Sequence, residues 1–285
     1  MSELRQRMID EMTLRGFSPR THESYLGAVK DLARYYKQPP DRLNTEQVRQ
    51  YLLYLERERH LSWSSLNVAA SGLRFFYFDT LKWQPVQLEI PPRTTPKRLP
   101  EVLSREEVDR LISMVPNLKH RTLLMTIYAA GLRVSEAIAL RVHDIDSARM
   151  TIRVVQGKGR KDRYTILSPR LLENLRQYWK QYHPKEYLFE GSKPPRHIHE
   201  SVPQKTYNRA KQRAGIHKGI GVHTLRHCFA THLLEAGVDL RTIQTLLGHN
   251  AISTTMLYLQ VRQQHIASHP EKFDLLALPP KPTDV

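Results

Sequence analysis

The chain has almost no cysteine. Its one thiol, Cys228, excludes an internal disulfide framework and any CxxC zinc module. It has no run of about 18 apolar residues, so a membrane span is not expected. Its opening stretch, MSELRQRMIDEMTLRGFSPR, has no uninterrupted apolar core and does not read as a secretory signal. There is no internal repeat and no low-complexity block. A lone thiol suits a reducing compartment, and the expected location is cytoplasmic.

Acidic residues are also in short supply. Over 285 residues, 44 Lys+Arg face 28 Asp+Glu, a net charge of +16. Most of the excess lies beyond residue 100, where 28 basic residues face 17 acidic ones. Such a balance favours a polyanionic partner. With no membrane segment in view, that partner is expected to be nucleic acid.

The length suits two domains. Residues 2–15, 21–37, 45–59 and 64–82 carry apolar residues three and four apart and read as four helices. Ser18-Pro19 and Asn44-Thr45-Glu46 supply two of the starts. Leu73, Phe76 and Phe78 are expected in the core of this part, with Arg15, Arg20 and Arg74 outside. Residues 84–100 hold five prolines and no helical period, so they read as an extended linker. Ser104-Arg-Glu-Glu is a capping box that opens a new helix. The expected division is 1–83, a linker over 84–103, a second domain over 104–278 and a disordered tail over 279–285.

In the second part, 119–140 is apolar and helical with a break at Gly131. TIRVV at 151–155 and RYTIL at 163–167 read as two strands, joined through GKGRK into a hairpin with a basic tip. Helical patterns follow at 170–182, 203–214, 224–236, 239–247 and 251–265. The stretch 183–205, with His197, His199 and four prolines, reads as a surface loop.

Several polar residues stand out. Arg133 lies in GLRVSEA, with Glu136 three positions on as its helical partner. Lys158 sits between Gly157 and Gly159, where the backbone bends sharply and a ligand can approach. Lys161 and Arg163 extend the basic tip and suit phosphate contact. His223 and Arg226 share one face at a helix start, where backbone N–H groups favour an anion. A zinc site on His223 with His227, or on His227 with Cys228, lacks a third ligand of suitable spacing. His249 follows Gly248 at a helix end, and Tyr258 lies in TTMLYLQV. Taken singly, each residue has an ordinary structural reading. Together they form a kit for nucleophilic attack on phosphorus. Two guanidiniums can clamp the non-bridging oxygens, a histidine can take the phenolic proton, and a lysine can protonate the departing oxygen.

GLRVSEA, GKGRKDR, HTLRHCFATHLLEAG, LLGHNAISTT and the following Tyr258 resemble the motifs of the tyrosine recombinase (phage integrase) family, in family order. The likeness is nearest to Xer-type recombinases, integron integrases and mobile-element integrases. It implies a mainly α fold: a four-helix, SAM-like core-binding domain, then a helical catalytic domain with a small antiparallel sheet, as in type IB topoisomerases. It implies Tyr258 as nucleophile, forming a 3′-phosphotyrosyl bond, with Arg133 and Arg226 on the scissile phosphate. Lys158 is implied as general acid, His223 as base and His249 as a phosphate hydrogen-bond donor, with Glu136 orienting Arg133. Lys161, Arg163, Arg20 and Arg74 are expected on DNA.

No cofactor, metal or ATP is implied, because the covalent intermediate conserves the phosphodiester energy. The implied partners are double-stranded DNA sites, with a free monomer assembling into a homotetramer on synapsed DNA. An accessory DNA-bending protein or partner recombinase is left open. The implied setting is a prokaryotic nucleoid. The chain lacks the long insertion that integron integrases use on folded single strands. Two rivals remain: a DNA-binding accessory protein with a decayed site, and a type IB topoisomerase.

Overall fold

The computed structural model describes residues 3–83, 101–155, 162–193 and 195–248. The chain divides into two compact units, Met1–Lys97 and Arg98–Val285. The proline-rich stretch, Lys158, Lys161, His249, Tyr258, the helix expected at 251–265 and the C-terminal tail lie outside the described residues.

The first unit has four α-helices: α1 (Glu3–Leu14), α2 (Pro19–Tyr36), α3 (Thr45–Arg57) and α4 (Trp63–Arg74). Both sequence-read starts carry caps. The Ser18 hydroxyl accepts from the Thr21 N–H with Pro19 at the first helical position. Asn44 and Gln47 exchange hydrogen bonds of 2.9 Å each in a capping box. α4 was expected to run unbroken to residue 82. Instead it widens into a π-helical segment over Phe75–Thr80. Phe75, Phe76 and Tyr77 are all buried there. A regular helix turns about 100° per residue, which spreads three consecutive side chains over about 200°. The wider turn narrows that spread. Leu32, Val48 and Leu73 complete the centre of this core, and Phe78 is only half-buried.

The second unit is also mainly helical: α5 (Arg105–Ser113), α6 (Leu118–Ala129), α7 (Val134–Ala139), α8 (Pro169–Tyr182), α9 (Ser201–Arg213), α10 (His223–Glu235) and α11 (Leu240–Leu247). Its sheet is antiparallel in the order β1 (Ile145–Asp146), β2 (Thr151–Val154), β3 (Arg163–Ile166). The β2–β3 register pairs Thr151 with Ile166 and Val154 with Arg163. The Ser104–Glu107 capping box opens α5. α10 is buried on most sides, with Leu225, Arg226, Cys228, Phe229 and Ala230 all inside.

Residues 183–200 are more than a surface loop. Leu188, Phe189 and Ile198 are buried, and the Leu188 N–H donates to the Leu140 carbonyl at 2.7 Å. Backbone pairing of Arg141 with Tyr187 and of Glu190 with His197 holds the stretch down.

The break between α6 and α7 falls at Gly131, as its sequence suggests, with φ of 62°. A Cβ there would lie 2.3 Å from the Phe229 ring. Gly131→Ala is therefore expected to cost about 1–3 kcal/mol through overpacking and backbone strain. Urea unfolding of the variant measures this, and an unchanged midpoint would refute the packing argument.

Candidate active site

The site is built around one carboxylate. Glu136 lies in the first turn of α7 and is 8% exposed. Its Oε2 accepts from the Arg133 N–H at 2.8 Å, and its Oε1 accepts from Arg133 Nη1 at 2.7 Å. From β3, Arg163 adds a two-pronged grip, Nη1 to Oε1 and Nη2 to Oε2, both 2.8 Å. From α10, Arg226 Nη1 stands 3.5 Å from Oε2. Three guanidiniums from three separate elements thus share one negative charge.

Burial alone would raise the Glu136 pKa. The hydrogen bonds and charge of Arg163, followed by the bonds from Arg133, override it and hold the carboxyl at about 2. Glu136 is therefore ionised across the physiological range, and the cluster carries a net positive charge of two.

The three arginines differ in exposure. Their side chains are 21% exposed for Arg133, 10% for Arg163 and 1% for Arg226. Arg226 donates to the Gly131 carbonyl through Nη1 and to the Leu247 carbonyl through Nη2, each at 2.6 Å. It ties the α6–α7 break to the end of α11. Arg133, the most open of the three, is the group best placed to meet an incoming anion.

His223 opens α10 and is exposed to solvent. Desolvation, then the positive charges of Arg226 and Arg133, lower its pKa. It thus feels the same cluster and stays neutral more readily than a free imidazole, as a proton acceptor requires. His227, one turn on, meets it edge to face with ring centroids 4.8 Å apart. Burial, then His223 and Arg226, bring His227 down to about 4. Among the described residues no group of three or more His, Cys, Asp or Glu side chains could hold a metal.

The structure therefore brings Arg133, Glu136, Arg226 and His223 together. Lys158, Lys161, His249 and Tyr258 lie outside the described residues. Arg163, expected on DNA, is committed inward: its Nε also donates to the Leu246 carbonyl at 3.0 Å. The sequence hid this because a basic residue beside GKGRK looks solvated, while its acidic partner lies 27 residues away. Arg20 is exposed at the start of α2 and Arg74 half-buried at the end of α4, both in the first unit.

The chain is similar to known proteins over nearly its whole length. The model described as the phage integrase family matches residues 101–265, and that of the phage integrase N-terminal SAM-like domain matches residues 4–85. A putative integrase/recombinase, y4qK, of Sinorhizobium fredii is 45% identical over 281 residues, covering 98% of this chain and 91% of that protein. The tyrosine recombinase XerA of Thermococcus kodakarensis is 38% identical over 271 residues, covering 93% of each. The crystal structure of a XerA recombinase superposes with a TM-score of 0.54 at 27% identity, covering 94% of this chain and 98% of that one.

Proposed function

This chain belongs to the phage integrase family of tyrosine recombinases, enzymes that cleave and rejoin DNA, and we propose that it recombines specific double-stranded DNA sites through a 3′-phosphotyrosyl bond to Tyr258. The observation that carries this reading is the excess of two positive charges around Glu136. Attack of a phenolate on a phosphodiester accumulates about two negative charges at phosphorus, and a preorganised cationic pocket stabilises that charge more than it does the ground state.

In this reading Tyr258 Oη attacks phosphorus. The new P–Oη bond replaces the P–O5′ bond. His223 accepts the phenolic proton, and Lys158 donates a proton to the departing 5′-oxygen. Arg133 binds a non-bridging oxygen from the open side of the cluster, while Arg226 supplies charge from behind it. His249 adds a hydrogen bond to the phosphate. A 5′-hydroxyl from a second strand then attacks the phosphotyrosine and reverses the sequence, so no outside energy source is needed.

The surplus of basic residues beyond position 100 supports a DNA duplex as the substrate. The family's assembly mode would place four protomers on two paired sites, with a monomer in free solution and the nucleoid as its place of work. The 1–83 and 104–278 segments would act as core-binding and catalytic domains joined through 84–103, with Lys161, Arg20 and Arg74 on the phosphates.

The purified chain, incubated with nicked duplexes of randomised sequence in excess EDTA, is expected to leave a protein–DNA adduct that survives a denaturing gel. Strict dependence on added divalent metal would overturn the mechanism. Binding with no adduct on any duplex would favour an accessory protein. Relaxation of arbitrary supercoiled plasmid by monomers would favour a topoisomerase.

A further inference from the structure

Resting on that reading, we propose that Arg163 is a positioning residue of the cleavage site, a strut that sets Glu136 and its arginines against the end of α11. Three of its donors are used at once. Nη1 and Nη2 hold both oxygens of Glu136 at 2.8 Å, and Nε holds the Leu246 carbonyl at 3.0 Å. Arg226 takes the next carbonyl, Leu247, at 2.6 Å. The last carbonyls of a helix have no partner within it. Here two guanidiniums that both reach Glu136 satisfy two of them in succession.

The fit continues at Gly248, which caps α11 in the left-handed region with φ of 62°. A Cβ there would lie 2.7 Å from Arg163 Cδ. The backbone therefore leaves α11 pressed against the arginine stem, and the next residue in sequence is His249. Arg163 itself begins β3, the second arm of the hairpin whose tip sequence carries Lys158. One side chain thus fastens three chain segments that each lead to a residue of the proposed chemistry. A lysine cannot replace it, since an ammonium has no planar fork to span a carboxylate while holding a carbonyl.

The test uses the full chain and, as probe, the nicked duplex recovered with the wild-type adduct from a randomised pool. Arg163→Lys keeps the charge that Glu136 requires and is expected to fold. Single-turnover adduct formation should fall about 100-fold, the scale of a misplaced catalytic group. The slope of log affinity against log salt should match the wild type. Amide exchange at the end of α11 should speed up. In Arg163→Ala, added guanidinium at levels far below denaturing ones should restore part of the cleavage rate. A salt slope lowered by about 1 would instead make Arg163 a phosphate contact and overturn the proposal. Wild-type cleavage by Arg163→Lys, or loss of cleavage that guanidinium does not restore and that tracks the unfolded fraction, would also overturn it. Amide exchange is read without cleavage. A faster-exchanging α11 end in a protein whose wild type forms no adduct would refute the recombinase reading while supporting the strut.

Discussion

Glu136→Ala is expected to cost about 3–5 kcal/mol of stability and to stop strand cleavage. The variant leaves Arg226, with its side chain 1% exposed, and Arg163, at 10%, without their shared countercharge. Burying an unpaired cation is far more costly than losing a surface ion pair. The pH dependence has a definite sign. The Glu136 carboxyl is held at about 2 in the folded protein, against an ordinary value of 4.5. A depressed carboxylate stabilises the fold above its unfolded pKa, and that contribution fades as pH falls from 4.5 through about 2. The depression corresponds to about 3 kcal/mol. Wild-type protein should therefore lose stability through this window more steeply than Glu136→Ala, which has no such group to protonate. Urea unfolding at a series of pH values measures both effects. A variant within about 1 kcal/mol of wild type at neutral pH would show that the three arginines do not depend on Glu136.

Tyr258→Phe is expected to abolish the covalent adduct while leaving DNA binding intact. The change removes one oxygen, the atom proposed to form the bond to phosphorus, and no positive charge. The buried tyrosines are poor substitutes. Burial pushes the phenols of Tyr51, Tyr128 and Tyr207 to about 12, and it raises those of Tyr77 and Tyr178 as well. Such groups stay protonated and unreactive. Tyr164, beside Arg163 on β3, is 59% exposed and is the natural control. A denaturing gel of the wild type, Tyr258→Phe and Tyr164→Phe decides the matter. An adduct that persists in Tyr258→Phe and disappears in Tyr164→Phe would transfer the nucleophile to the hairpin.

The readability of the sequence varied with the range of the interaction involved. Helix starts at Ser18, Asn44 and Ser104 were legible because a cap is a local event, settled within four residues. The Arg133–Glu136 pair was legible for the same reason. The break at Gly131 showed because a glycine interrupts an apolar run. By contrast, the π-helical widening at Phe75–Thr80 depends on what three aromatic rings must fill, which no local pattern records. β1 is two residues long and exists only through its pairing with β2. Arg163 was misread because composition around it is basic and polar, whereas its partners Glu136 and Leu246 are 27 and 83 residues away. The burial of Phe189 and Ile198 was masked by the prolines and histidines that surround them.

One carboxylate serving three guanidiniums also bears on how such a chain could lose its activity. A lineage released from cutting DNA could discard the oxygen proposed to attack phosphorus by a single change, Tyr258→Phe. It could not discard Glu136 alone, because the arginines left behind would repel one another inside the protein. Inactive descendants of this architecture would then keep their cationic centre intact for mechanical reasons, long after the chemistry had gone.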